Sequence, residues 1–414
     1  MNMIGKIHGI VWGPWTPVLF LMVGFVYSVR IRFFQIRKIP DWWNATIGNL
    51  LHDRSEHRGS FRSACTALAA TIGTGNITGV AAAVIAGGPG AVFWMWVSAF
   101  LGMATAYGET VLGIRYREKG RDGGWIAGPM MYLEKRLGCL WAAVLYGSFC
   151  IPAAFGMGSM VQANAIAETV SYVYGIPEAA VGVIVVTLAG SVLAGGGKRI
   201  FLAAERLVPL SAGIYTAAAL AVIVLYAGRI PGVFLAIMAD AFSFRSAVGG
   251  IAGYGISQCV SYGIARGVFS NEAGLGSLAV LNGSAETAAE EIQGQWAIFE
   301  VFFDTIVICT MTALVCGGQR GGFGVWRGKR GVAHESLLLY GAWKSGQVSG
   351  GSLCGPVCIF HDHRLVLYGA AGGGVSWRED IGQDSGNLYG GISSGGVSGV
   401  PWGDGDGVAG GRYL

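Results

Sequence analysis

Long apolar stretches recur along the first three quarters of the chain, near 13–29, 65–86, 88–112, 139–172, 178–197, 207–227, 246–265 and 296–316. About 20 helical residues cross a hydrocarbon core of ~30 Å, so each stretch predicts a membrane-spanning helix. Two are interrupted from within. The stretch 65–86 contains Gly73-Thr74-Gly75-Asn76 and then Gly79, and Gly87-Gly88-Pro89-Gly90 closes it. The stretch 246–265 contains Gly249-Gly250 and Gly253-Tyr254-Gly255, which predicts a second broken helix.

An interruption inside lipid is tolerable only where the freed backbone groups are buried in protein or line a cavity. Opening a helix at 73–76 turns carbonyls of its first half toward a cation and N–H groups of its second half toward a carboxylate, with the positive helix end adding to the attraction. The same glycines also suit plain close packing of helices. Thr74 and Asn76, polar at mid-membrane, need partners in either case. Gln162 and Asn164 form a second polar pair, after Gly156-Met157-Gly158. Gln162 and Ile166 share one helix face at i, i+4 and either wall a pocket or bond between helices. Glu109 and Asp304 are ionisable groups in or near spans, each a functional candidate or a structural group, with Glu109 close to the cytoplasmic boundary and its water.

Composition agrees with the pattern: 53% of 414 residues are hydrophobic and 13% charged, about half the charge of a soluble domain. The first span is not a secretory leader, because Arg30, Arg32, Arg37 and Lys38 follow it instead of preceding it. Basic residues cluster at 30–62, 115–136 and 198–206, each pair of clusters separated by two spans, which puts all three on the cytoplasmic side and the N-terminus outside. Segment 266–295 then lies inside, and only Arg229 and Arg245 stand against the count. The net charge of +4 comes without a basic stripe interleaved with aromatics, so no nucleic acid is expected as a partner. The eight cysteines are scattered and imply no disulfide framework. Cys354, Cys358, His361 and His363 have only a loosely metal-like spacing. Ser270-Asn271-Glu272-Ala273-Gly274 reads as a cytoplasmic loop with no histidine or nucleophile elbow, and no enzyme is expected.

Blocks of residues carry a resemblance. They are Thr66-Ala67-Leu68-Ala69-Ala70-Thr71-Ile72-Gly73-Thr74-Gly75-Asn76-Ile77, Gly87-Gly88-Pro89-Gly90-Ala91-Val92-Phe93-Trp94-Met95-Trp96, Gly128-Pro129-Met130-Met131-Tyr132, Phe269-Ser270-Asn271-Glu272-Ala273-Gly274-Leu275-Gly276-Ser277, and Asp304-Thr305-Ile306-Val307-Ile308-Cys309. In this order, from about residue 10 to 316, they resemble the alanine or glycine:cation symporters. The resemblance implies an all-α polytopic membrane protein of the leucine-transporter type, an inverted-repeat fold with an extra N-terminal helix and here an incomplete second repeat. It implies sodium-coupled symport of alanine or glycine across the bacterial inner (plasma) membrane, with Na+ as coupling ion and no organic cofactor. Backbone N–H groups at Thr74 and Gly75 and the amide of Asn76 would meet the substrate carboxylate. Carbonyls of Ala69 and Ile72 would face sodium, and Gln162 and Ile166 would line the substrate pocket. The competing reading is a channel-like or sensory membrane protein that binds an amino acid without coupled transport.

The composition changes after Cys316. Glycine makes up 28 of the 98 residues in 317–414, against 42 in the preceding 316, and no apolar run of spanning length follows. The change reads as translation in a shifted frame of a GC-rich gene, the other reading being a natural glycine-rich tail. It divides the chain into a transmembrane domain, 1–316, and a tail with little packed structure. Without the later helices of the second repeat, the chain as written is expected to transport poorly.

Overall fold

The structure is a computed structural model that describes residues 9–13, 15–48, 58–73, 75–120, 124–242, 251–283, 289–318, 323, 358–361, 364–368 and 374–378, with the backbone alone at 58–59, 62, 169, 172–173, 197–198, 201, 251–257 and 358–378. The chain divides into two units, 1–379 and 380–414, and every described residue lies in the first. Helices dominate. In chain order they are α1 (Trp15–Arg30), α2 (Phe34–Arg37), α3 (Ile39–Trp43), α4 (Arg58–Thr71), α5 (Val80–Gly87), α6 (Ala91–Arg115), α7 (Pro129–Lys135), α8 (Leu140–Ala153), α9 (Val161–Tyr174), α10 (Glu178–Leu193), α11 (Gly196–Leu225), α12 (Ile230–Ala241), α13 (Ile251–Asn271), α14 (Ser277–Gly283), α15 (Glu290–Val301) and α16 (Thr310–Gly318). π-Helical turns at Gly75–Gly79, Ala154–Met160 and Phe302–Cys309 join α5, α9 and α16 to what precedes them. This is a mostly helical membrane protein.

Four helical runs are long and apolar enough to cross a membrane: 91–115, 140–168, 202–225 and 290–318. The pair 63–71 and 75–87, bent by 46° at its break, makes a fifth if taken as one span. Each of the eight expected spans overlaps a helix, but α1 and α10 are only 16 residues long, 246–250 lie outside the described residues, and α13 is not among the runs that meet the length and hydropathy of a span. Left-handed backbone at Arg32 and Phe33 (φ 54° and 53°) stops α1, and Pro177 and the Gly195-Gly196 turn bracket α10.

The second broken helix is corrected. α13 runs unbroken through Gly253 and Gly255, and Gly249-Gly250 lie outside the described residues. A single glycine costs a helix about 1 kcal/mol, too little to open one whose hydrogen bonds have no other partner in lipid.

Helix α6 is the hub, packed by α1, α13, α14 and α15. Small residues allow this. Gly263 of α13 lies so close to α6 that a Cβ there would sit 2.5 Å from the Ala91 carbonyl oxygen. One core cluster joins Ile77, Val80, Met95, Ile237, Ile308 and Val315, and another joins Trp42, Ala67, Met103, Leu278, Trp296 and Phe299. By contrast, Ala143 alone is buried in the 140–168 run, while most of 290–318 is buried. Trp141, Phe149, Phe155 and Val186 stand outward, the surface a hydrocarbon solvent requires of α8 to α10.

Two short strands, β1 (Glu118–Lys119) and β2 (Trp125–Ile126), close an antiparallel turn in the basic segment after α6. Beyond Phe323 the described residues are three antiparallel strands, β3 (Cys358–His361), β4 (Arg364–Tyr368) and β5 (Gly374–Arg378). The rest of the segment read as a loosely packed tail lies outside the described residues, as do Cys354 and His363 of the metal-like spacing. The six cysteines whose side chains are described are free, and no metal-binding group of side chains occurs among the described residues.

Candidate functional site at the broken helix

The break between α4 and α5 is built by one side chain. Asn76 Oδ1 accepts from the Gly73 N–H at 2.8 Å, and the Asn76 N–H donates to the Gly73 carbonyl at 3.2 Å. In an uninterrupted helix the Gly73 N–H would bond the Ala69 carbonyl, and the Asn76 N–H would bond the Ile72 carbonyl. Both carbonyls therefore lose their helical donors. These are the two expected to face a cation. Thr74 lies outside the described residues, and Gly75 opens the π-helical turn, fully buried.

The other end of the Asn76 amide reaches across the molecule. Its Nδ2 donates to Asp304 Oδ1 at 2.6 Å and to the Asp304 carbonyl at 3.1 Å. Ser270 Oγ donates to Asp304 Oδ2 at 2.8 Å, and Thr305 Oγ1 donates to the same oxygen at 2.9 Å. Asn271 Nδ2 donates to Thr305 Oγ1 at 3.1 Å, while its Oδ1 accepts from the Ala273 N–H at 3.1 Å. Asp304 is 0% exposed. Its carboxyl group is thus held by three side-chain donors, with no cation among its described partners. The wide π-helical turn at 302–309 sets Asp304 and Thr305 toward this point, as such turns often do at functional sites. Gly75 fits against α13 because a Cβ there would meet Ser270 Cα at 3.2 Å.

Three separate sequence blocks converge here: the glycine-rich break, the end of α13, and the turn after α15. Ser270 and Asn271 do not lie in a cytoplasmic loop as expected; they end α13 and are each 1% exposed. The signal for them was the run of polar side chains directly after an apolar helix.

Glu109 lies on α6 beside the turn that follows α13. It is half-buried and faces the N–H groups of Gly274 and Gly276, and its Oε2 is buried without a hydrogen-bond partner among the described residues. Left-handed backbone at Glu272, Gly274 and Gly276 folds the chain over it. Gln162 and Ile166 are half-buried on α9, which packs along α10, and neither is among the described hydrogen-bond partners of Asn76 or Asp304. Ala69 is half-buried and Ile72 is buried.

Comparison with known proteins decides the family. Residues 1–353 match the sodium:alanine symporter family. The chain belongs to that family. An uncharacterized transporter of Haemophilus influenzae is 38% identical over 85% of this chain and 73% of its own length. The sodium/alanine symporter AgcS of Methanococcus maripaludis is 40% identical over 76% of this chain and 70% of its own. The amino-acid carrier protein AlsT of Bacillus subtilis is 34% identical over 73% of this chain and 64% of its own. The symporter match continues past the composition change at 316, to 353. Membership makes the chain a membrane transporter of the sodium/amino-acid symporter class.

Proposed function

We propose that this symporter carries a small neutral amino acid, alanine or glycine, into the cell together with sodium across the inner (plasma) membrane, with its N-terminus outside. The observation that carries the reading is the break at Gly73, where the Ala69 and Ile72 carbonyls lose their helical donors beside the buried Asp304 carboxylate. Carbonyls at the end of a half-helix coordinate sodium, and N–H groups at the start of the next half-helix take a carboxylate. Sodium sits at Ala69 and Ile72 with Asp304 at hand, and the substrate carboxylate meets Thr74 and Gly75, while Asn76, whose amide hydrogens go to Asp304, holds the break open beside them. Gln162 and Ile166 wall the side-chain end of the pocket. The fold is the inverted-repeat, leucine-transporter type, and the composition change after 316 supports reading the segment that follows as out of frame with the rest of the gene, against a family match that runs on to 353.

The test is uptake of labelled alanine and glycine by proteoliposomes, with and without an inward sodium gradient. Accumulation above the outside concentration only with sodium supports symport, and equilibration without sodium sinks it in favour of a pore. Asn76→Ala and Gln162→Ala each reduce uptake; unchanged kinetics in both would refute the site assignment. Restoring the frame after residue 316 raises uptake, and full activity of the chain as written would refute the frame reading.

A further inference from the structure

A second buried polar cluster lies one helical turn before Asp304. Glu300 of α15 is 1% exposed. Its Oε2 accepts from Asn282 Nδ2 of α14 at 2.9 Å, and Asn282 Oδ1 accepts from Gln293 Nε2 of α15 at 2.6 Å. Helix α4 closes the cluster: Ser63 Oγ donates to the Leu281 and Asn282 carbonyls at 3.2 and 3.4 Å, and Gln293 Nε2 also reaches the Ser60 carbonyl at 3.5 Å. Two buried acceptors are left over, Glu300 Oε1 and Gln293 Oε1, and neither has a donor. Trp296 Nε1, on the same helix face, lacks an acceptor, with its ring against that of Phe61.

The cluster is short of a donor and of a positive charge. No ion pair of Glu300 occurs among the described residues. Its walls are Phe61, Ala64, Trp296, Ala297 and Phe299. Among the described residues, the titratable groups near it are Cys65 of α4, within electrostatic reach of both Glu300 and Glu205 of α11, and, against Gly294, Tyr107 of α6. Neither supplies a cation, and the side chains of Arg58 and Arg62 of α4 lie outside the described residues. An ionised carboxyl in such a place pays a desolvation cost that one amide hydrogen bond does not offset, and a bridging water would satisfy hydrogen bonds without removing the charge.

The geometry points to Glu300 as a proton-binding site of this transporter, a neutral carboxylic acid in the packed state that exchanges its proton when α4 moves against α14 and α15. The inference rests on the symporter reading for its place in a transport cycle. Ser60 and Ser63 precede the break on the same helix that carries Ala69 and Ile72, so movement of α4 that opens the Asp304 site also parts the bonds over Glu300. Water then enters. The carboxyl O–H bond breaks, the proton passes to water, and the carboxylate remains solvated until the seam closes and a proton returns. Glu300 and Asp304 lie at i, i+4 on one helical run, which places a proton site and the candidate sodium site a turn apart.

Infrared spectroscopy of the purified full chain tests the protonation state without requiring transport. At neutral pH the wild type minus Glu300→Gln difference spectrum should carry the carbonyl band of a protonated carboxyl, and this band should change when sodium and alanine are added. Glu300→Gln keeps shape and neutrality and should fold with unchanged thermal stability. Carboxylate bands alone, or a variant that fails to fold, would overturn the proposal. In proteoliposomes holding a pH-sensitive dye, alanine uptake by wild type should move protons and uptake by Glu300→Gln should not. Wild-type uptake without proton movement would overturn the coupling role. Absence of any sodium-driven uptake by wild type would count against the symporter reading, while the infrared band would still decide the proton on Glu300.

Discussion

Asn76 uses both ends of its amide, capping the broken strand of hydrogen bonds through Oδ1 and gripping Asp304 through Nδ2. Asparagine suits the position because its amide donates and accepts from one short planar group. Asn76→Asp keeps the acceptor but sets a second acid against Asp304, and uptake at neutral pH should fall further than in Asn76→Ala. Parallel uptake rates, normalised to inserted protein, check the order. Asp304→Asn keeps the shape and removes the charge. Hydrogen bonds to a charged group are worth ~1.5–3 kcal/mol, and each 1.4 kcal/mol is about tenfold in affinity. The sodium concentration for half-maximal uptake should therefore rise about tenfold or more, read from uptake against sodium at fixed alanine.

Elements meet where side chains are small or share one hydrogen bond. The α6–α13 seam depends on Gly263, where alanine would push its Cβ into the Ala91 carbonyl and the Trp94 side chain. Overpacking of this kind costs ~1–3 kcal/mol, so Gly263→Ala should lower the melting temperature in detergent. Gly190→Ala is the control, since nothing lies within 4 Å of its Cβ position on the outward α10, and it should melt as the wild type does. Trp96 Nε1 donates to Thr310 Oγ1 at 2.8 Å and ties α6 to α16. Thr310→Val removes that acceptor and should cost about 1 kcal/mol, measured by the same melts. At Gly90 the backbone N–H donates to Asp240 Oδ2 at 3.0 Å, which fixes the α5–α6 turn against the end of α12.

At the scale of the whole molecule, the burial contrast orders the helices. α6, α15 and α16 form the interior, while α8 to α10 turn apolar faces outward. The topology proposed from the arginine and lysine clusters has the α6–α8 connection on the cytoplasmic side. A fluorescent reporter fused after Arg136 should therefore glow, and a periplasmic phosphatase fused after Gly175 should be active. The reverse pattern would invert the topology. The Arg117 guanidinium stacks on Trp125 at 4.1 Å and bonds the Gly283 carbonyl at 3.0 Å, which anchors that connection to α14.

Much of this was legible in the residues alone. Apolar runs marked every long helix, because lipid leaves a backbone no partner but itself. The glycines at 73 and 75 suited close helix packing as well as a break, and it was the polar pair Thr74 and Asn76 inside an apolar run that pointed to an opened helix. The motif blocks named the family that the comparison then showed. What the residues alone did not reveal depended on distance along the chain. Asn76 and Asp304 are 228 positions apart, and Asn282 and Gln293 meet only because α14 folds back on α15. The same glycine pattern that opens α4 leaves α13 intact, since backbone groups leave a helix only where a neighbour such as the Asn76 side chain takes them up. The sequence by itself determined which segments are helical and membrane-bound, through solvent preference and local hydrogen bonding. Only the tertiary structure decided which polar groups are partnered and which buried carboxyl is left without a counter-charge, because that is settled by what packs against them.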